Sequence, residues 1–175
     1  MFKMLYKGED ILNKKTCCFF GHRNIEITQK TEKVLFDVVK FLIIQKGITR
    51  FLFGSNSQFN DLCYKIVSLL QKEFPFVQKI YVRAEYPYPG DEYIRYLLEM
   101  YEGTYYPDKI KNAGRAVYVE RNFEMIDKSE YCIVYFDKNY TPFQHKKRSA
   151  SGTGIAYNYA VRKQKEVINI FDMCF

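Results

Sequence analysis

Four short stretches of this chain carry residue types that can hold an anion. They are Gly21-His22-Arg23, Gly54-Ser55-Asn56, Arg121-Asn122 and Ser151-Gly152-Thr153, the last running on into Gly154. Glycine lets a backbone come close to a ligand. The first N–H groups of a helix have no partner inside it and favour a negative group. Arginine adds a permanent forked cation suited to phosphate. Together these features describe a phosphate-sized site. Each also has a plain structural reading. Ser and Thr cap helices without binding anything. Gly21 and Gly54 can serve only a tight turn, and His22 can cap or pack. Arg121 can pair with Glu124 on its own helix, a contact of small consequence.

The elements that position these stretches alternate between apolar runs and helical stripes. Residues 16–20 are an uninterrupted apolar run of the kind that forms a strand buried on both faces. Thr28 can cap the helix that follows, and Gly47 stops it. A second strand spans 49–53, a helix follows over 59–73, and a third strand covers 77–84. Residues 91–101 read as a helix, 103–114 as irregular, 115–119 as a short strand and 120–128 as a helix. The apolar run 131–136 is a strand, 137–150 is a long basic loop, 155–165 is a helix and 167–171 a last strand. Residues 2–6 suggest a short edge strand within an N-terminal appendage, 1–15. The alternation predicts a Rossmann-like three-layer α/β/α sandwich with a mainly parallel sheet, in one domain over 1–175. In such a sheet, ligands bind beyond the carboxyl ends of the strands, where the strand order reverses. Gly21-His22-Arg23, Gly54-Ser55-Asn56 and Ser151-Gly152-Thr153 all follow strands and are expected to meet there. Neither the glycine fingerprint of dinucleotide sites nor the lysine-bearing phosphate loop is present.

Composition narrows the function classes. With 47% hydrophobic and 18% aromatic residues, 16 Tyr, 15 Phe and no Trp, the chain is globular rather than disordered. No run is long enough to cross a bilayer, so no membrane partner is expected. The first 15 residues lack the apolar core of a signal peptide. Five Cys without a CxxC pair suit a reducing cytoplasm. Two His without ligand spacing argue against structural zinc. The formal net charge of +7 fits a nucleic-acid partner or a small anionic ligand. Only Lys146-Lys147-Arg148 forms a cluster; the other lysines are spread over helices.

Beyond these generic signals, Cys17-Cys18-Phe19-Phe20-Gly21-His22-Arg23 resembles the opening "CCFTGHR" of YpsA-like proteins, a branch of the SLOG superfamily. That superfamily is named for DNA-processing protein A (Smf) and the Lonely Guy enzymes. The stretch from Glu120 to Ser129 is similar to that group's "KRNRYMVDNSD". Ser151-Gly152-Thr153 with Ala156-Tyr157, Tyr159-Ala160 and the following lysine and apolar strand resembles its "SGTxxAYxYAxxxxKxxINI". The similarity covers about residues 16–171. It implies a Rossmann-like fold that binds a nucleotide or nucleotide-derived ligand through Gly21, His22, Arg23, Gly54, Ser55, Arg121, Asn122, Ser151, Gly152 and Thr153. Two departures stand out. The group's second turn, "SGGALGxD", is Phe53-Gly54-Ser55-Asn56-Ser57-Gln58-Phe59-Asn60 here, which points to a different ligand preference. Lonely Guy phosphoribohydrolases carry "PGGxGTxxE" after a helix with an Arg. Arg121 matches that Arg, but the Glu position is Ala156, which cannot transfer a proton. Catalysis by that route is disfavoured unless Glu85, Glu120 or Asp61 substitutes.

The leading expectation is a cytoplasmic nucleotide-derivative-binding protein, acting as a sensor or regulator. Phosphate would sit on the turn at 151–154, Arg23 and Arg121 would offset its charge, and Tyr86, Tyr88 or Tyr93 would stack a base. No cofactor beyond such a ligand is expected, and self-association stays open. The alternative is an N-glycosidic hydrolase of nucleotides. A nucleic-acid-binding module ranks third.

Overall fold

The central strands form because their sequences are apolar beyond the first residue and both faces are covered. From Thr16 to Phe20 every residue is buried. Successive strand side chains point to opposite faces. Cys17 and Phe19 therefore join one core cluster, and Cys18 and Phe20 join another. Phe51 and Phe53 alternate with Leu52 in the same way, as do Ile133 and Tyr135 with Cys132 and Val134. Phe19 stacks on Phe51 with ring centroids 5.6 Å apart and packs on Phe53 at 5.0 Å. Full burial of one such ring stabilises by about 1.5–3 kcal/mol.

The structure, a computed structural model, describes residues 4–5, 15–85, 90–140 and 151–175. In chain order its elements are β1 (Met4–Leu5), β2 (Thr16–Gly21), α1 (Gln29–Lys46), β3 (Arg50–Phe53), α2 (Gln58–Leu70), β4 (Gln78–Val82), α3 (Asp91–Met100), β5 (Gly103–Tyr105), α4 (Val117–Asp127), β6 (Tyr131–Tyr135), α5 (Gly152–Arg162), β7 (Glu166–Asn169) and α6 (Ile170–Cys174). The seven strands make one sheet in the order β1-β5-β4-β3-β2-β6-β7, and every pairing is parallel. Helices α1, α2, α3 and α6 bury residues in the cluster on one face. Met125 and Ile126 of α4 and Ala156 and Ala160 of α5 cover the other. This is the expected α/β/α sandwich, Rossmann-like in its layers.

Local chemistry sets several boundaries. Thr28 caps α1 by accepting from the Thr31 N–H, and Gly47 ends it at φ 69°, in the left-handed region glycine favours. Four expectations need correction. Residues 103–114 are not wholly irregular, because Gly103–Tyr105 pairs between β4 and β1. Residues 115–119 are not a strand. A 3-10 turn over Gly114–Ala116 leads straight into α4, and Val117 buries against Ala84 and Ile110 instead of a sheet edge. Helix α5 starts at Gly152, so the small residues form its first turn rather than a preceding loop. The last strand stops at Asn169, and Ile170 to Cys174 forms α6, too short to show periodicity.

All five cysteines are buried and free. Cys18 and Cys132 face each other across β2 and β6, with sulfurs 3.5 Å apart. No helix among the described residues is long and apolar enough to cross a membrane.

Candidate functional site at the carboxyl rim

Strand order reverses at β2. The chain moves outward through β3, β4 and β5 on one side, then returns to place β6 and β7 on the other. Because all pairings are parallel, the carboxyl ends of β2, β3, β4 and β6 share one rim. The crevice where a ligand binds in such sheets lies there.

At the β2 end, Gly21 pairs with Tyr135 and the His22 N–H donates to the Tyr135 carbonyl at 3.2 Å. A Cβ on Gly21 would lie 2.5 Å from the Phe59 ring, so this glycine admits the first turn of α2. His22 is only 2% exposed. Its Nε2 lies 3.0 Å from the Asp137 N–H nitrogen and 3.1 Å from the Asp137 carbonyl oxygen, so either ring tautomer ties it to that residue's backbone. The ring stacks on Tyr140 at 4.0 Å and packs against Phe136 at 5.7 Å. Burial lowers its pKa below the ordinary 6.5 against the pull of Asp137. His22 is a neutral fastener between β2 and the loop after β6.

Arg23 follows, with its side chain exposed. Its carbonyl accepts the Gln58 N–H at 2.8 Å, and the Gln58 side chain holds the Ile25 N–H at 2.9 Å. These bonds draw the turn after β2 onto the start of α2. A shallow cleft of 290 Å³ results, lined by Arg23, Asn24, Asn56, Ser57, Gln58 and Asp61. Ser55 and Ser57 share a hydroxyl contact at 3.0 Å, and Ser57 caps α2 by accepting the Asn60 N–H at 3.1 Å.

Gly54 and Arg121 form the next unit. The Arg121 Nη1 donates to the Gly54 carbonyl, and its Nε donates to the Asn122 side chain at 3.0 Å. A Cβ on Gly54 would stand 2.6–2.9 Å from three atoms of the Arg121 side chain. The Tyr81 hydroxyl donates to the same carbonyl at 3.2 Å. Arg121 is 5% exposed, and burial lowers its pKa while Tyr81 and Glu85 support its charge. It does not pair with Glu124, which Lys109 and Lys128 hold at 2.6 and 3.4 Å.

On the far side of β2, Ser151 caps α5 by accepting the Gly154 N–H at 3.0 Å. The N–H groups of Gly152 and Thr153 precede the first intrahelical bond and have no partner among the described residues. A Cβ on Gly152 would meet nothing within 4 Å, whereas one on Gly154 would touch Phe136 at 3.4 Å. Phe136 is the ring that also meets His22, so this turn and the β2 end are one neighbourhood.

The structure thus gathers Gly21, His22, Ser151, Gly152 and Thr153 around the end of β6. It gathers Arg23, Ser55 and Asn56 around the start of α2, and Gly54, Arg121 and Asn122 around the end of β3. The two arginines stand apart in character: Arg23 faces solvent, whereas Arg121 is committed to protein oxygens. Tyr86, Tyr88 and Lys146-Lys147-Arg148 lie outside the described residues. Sequence reasoning passed over Tyr81, whose position in a strand reads as core, and saw Asn60 only as a departure from a motif. Among the described residues, no group of three His, Cys, Asp or Glu side chains is placed to hold a metal ion.

No protein-family model matches this chain, and no curated protein matches it.

Proposed function

We propose that this protein binds a nucleotide or nucleotide-derived ligand at the carboxyl rim of its sheet and acts as a sensor or regulator. One observation carries the reading. Helices α2 and α5 both begin at that rim, on either side of the strand where the order reverses. Both helices point the positive end of their dipole at the rim, and at α5 the N–H groups of Gly152 and Thr153 have no partner among the described residues. Arg23 adds a solvent-facing cation, and the open space beside Gly152 leaves room at the α5 turn. Binding is preferred to N-glycosidic hydrolysis because Ala156 is 1% exposed and packs in the second core cluster. An acid at that position would be buried among apolar side chains rather than offered to a ligand. Thermal denaturation with a panel of nucleotides and ADP-ribose derivatives tests the reading. At about 100 times the dissociation constant a true ligand stabilises by ~2.7 kcal/mol. A folded protein that no member of the panel shifts would refute it.

A further inference from the structure

At the carboxyl end of β4, a buried polar cluster holds acceptors that lack donors. Glu85 lies three residues beyond β4. Both of its carboxylate oxygens are shielded from solvent and have no hydrogen-bond partner among the described residues. Its own amide lies close by, outside hydrogen-bond geometry. Asn60, in the first turn of α2, is 4% exposed, and its Oδ1 also has no donor. The two residues are linked through tyrosines. The Asn60 amide stands beside the Tyr101 hydroxyl, the Tyr101 ring lies 5.1 Å from that of Tyr81, and Tyr93 is close enough to both Tyr81 and Glu85 to feel their charge.

Buried acceptors are normally paired, so a native structure that leaves three of them bare calls for an explanation. The nearby cations do not supply one. Arg121 spends its Nη1 and Nε on Gly54 and Asn122. Arg83 and Arg121 favour the ionised form of Glu85 by their charge, yet burial outweighs them and raises its pKa. What is missing is a planar group that brings N–H donors.

We propose that this end of the rim reads the base of the bound nucleotide, with Glu85 selecting an edge that carries two adjacent N–H donors, of the guanine type. The inference rests on the nucleotide-binding reading above. A carboxylate accepts two parallel N–H bonds, as it does from a guanidinium. A guanine edge supplies both, from its ring nitrogen and its exocyclic amine. An adenine edge sets a ring lone pair against one carboxylate oxygen, and hypoxanthine supplies one donor only. The half-buried Tyr93 ring gives the base an aromatic neighbour.

Calorimetric titration with the 5′-monophosphates of guanosine, inosine and adenosine tests this. Wild-type protein is expected to bind the guanosine nucleotide about tenfold or more tighter than the adenosine one, with inosine between them. Glu85→Gln turns one acceptor into a donor, so it should abolish that preference while leaving adenosine binding equal or improved. The substitution breaks no hydrogen bond among the described residues, and it should fold. Equal or tighter adenosine binding by the wild type, or an unchanged guanosine affinity in Glu85→Gln, overturns the subsite and leaves nucleotide binding intact. Failure of all three nucleotides to bind overturns the guanine subsite, and nucleotide binding falls with it only if the wider panel of nucleotides and ADP-ribose derivatives also leaves the melting temperature unshifted.

Discussion

A single carboxyl group, Glu85, shows how burial turns a residue type into a testable property. Its pKa is raised above the ordinary 4.5, first by burial and against the charges of Arg83 and Arg121. The folded chain therefore favours the protonated form more than the unfolded chain does. Stability from this source is whole below the unfolded value and is lost as pH rises through the raised folded one. Glu85→Gln cannot ionise. It is expected to melt above wild type near pH 7, with the difference shrinking toward zero near pH 4, as differential scanning calorimetry can show. A difference that stays constant across that range would mean the carboxyl is not under strain. Tolerance of a destabilising group is common where a site needs it. His22 is the opposite case at this scale. Its Nε2 is held by the Asp137 backbone and its ring packs on Tyr140 and Phe136, so its role is to hold two strand ends together.

Glycines at strand ends separate two jobs that look alike in sequence. Gly21 makes room for Phe59, whose Cβ stands 3.0 Å from the position a new Cβ would take. Gly54 makes room for the Arg121 side chain, which is more flexible but is bonded to the Gly54 carbonyl. Gly21→Ala and Gly54→Ala are each expected to destabilise by about 1–3 kcal/mol, the ordinary cost of overpacking, in urea denaturation. Their effects on ligand affinity should differ. Displacing Arg121 disturbs the neighbourhood of Glu85 and weakens nucleotide binding, whereas Gly21→Ala acts mainly on stability. Equal effects on affinity would contradict the separate roles assigned to these elements.

For the whole molecule, the net charge of +7 is less focused than the number suggests. Lys33, Lys40 and Lys65 are paired with Asp37, Glu73 and Glu32 on exposed faces, contacts worth about 0–1 kcal/mol each. Single-stranded DNA is therefore expected to bind weakly, with affinity falling steeply between about 50 and 200 mM salt in fluorescence anisotropy. Nucleotide stabilisation should persist across that range. Oligonucleotide affinity that survives it would put a nucleic-acid role first. Much of this architecture was legible beforehand. Runs such as 16–20 and 131–136 are apolar throughout because both faces of a central parallel strand are covered, and Thr28 and Gly47 bound α1 by strictly local rules. The residues of the rim were legible as well, since small, polar and cationic side chains after strands are a local pattern. What each does there was not. Whether Arg121 faces a ligand or a carbonyl, whether Ala156 is a missing acid or a core residue, and whether Glu85 has a donor all depend on neighbours distant in the chain. Local pattern determined the central strands, the caps of α1 and the sheet class, while β5 and the helix begun at Val117 escaped it. Only packing in three dimensions decided which polar groups are satisfied and which are left open, because hydrogen-bond satisfaction belongs to the assembled surroundings and not to any one segment.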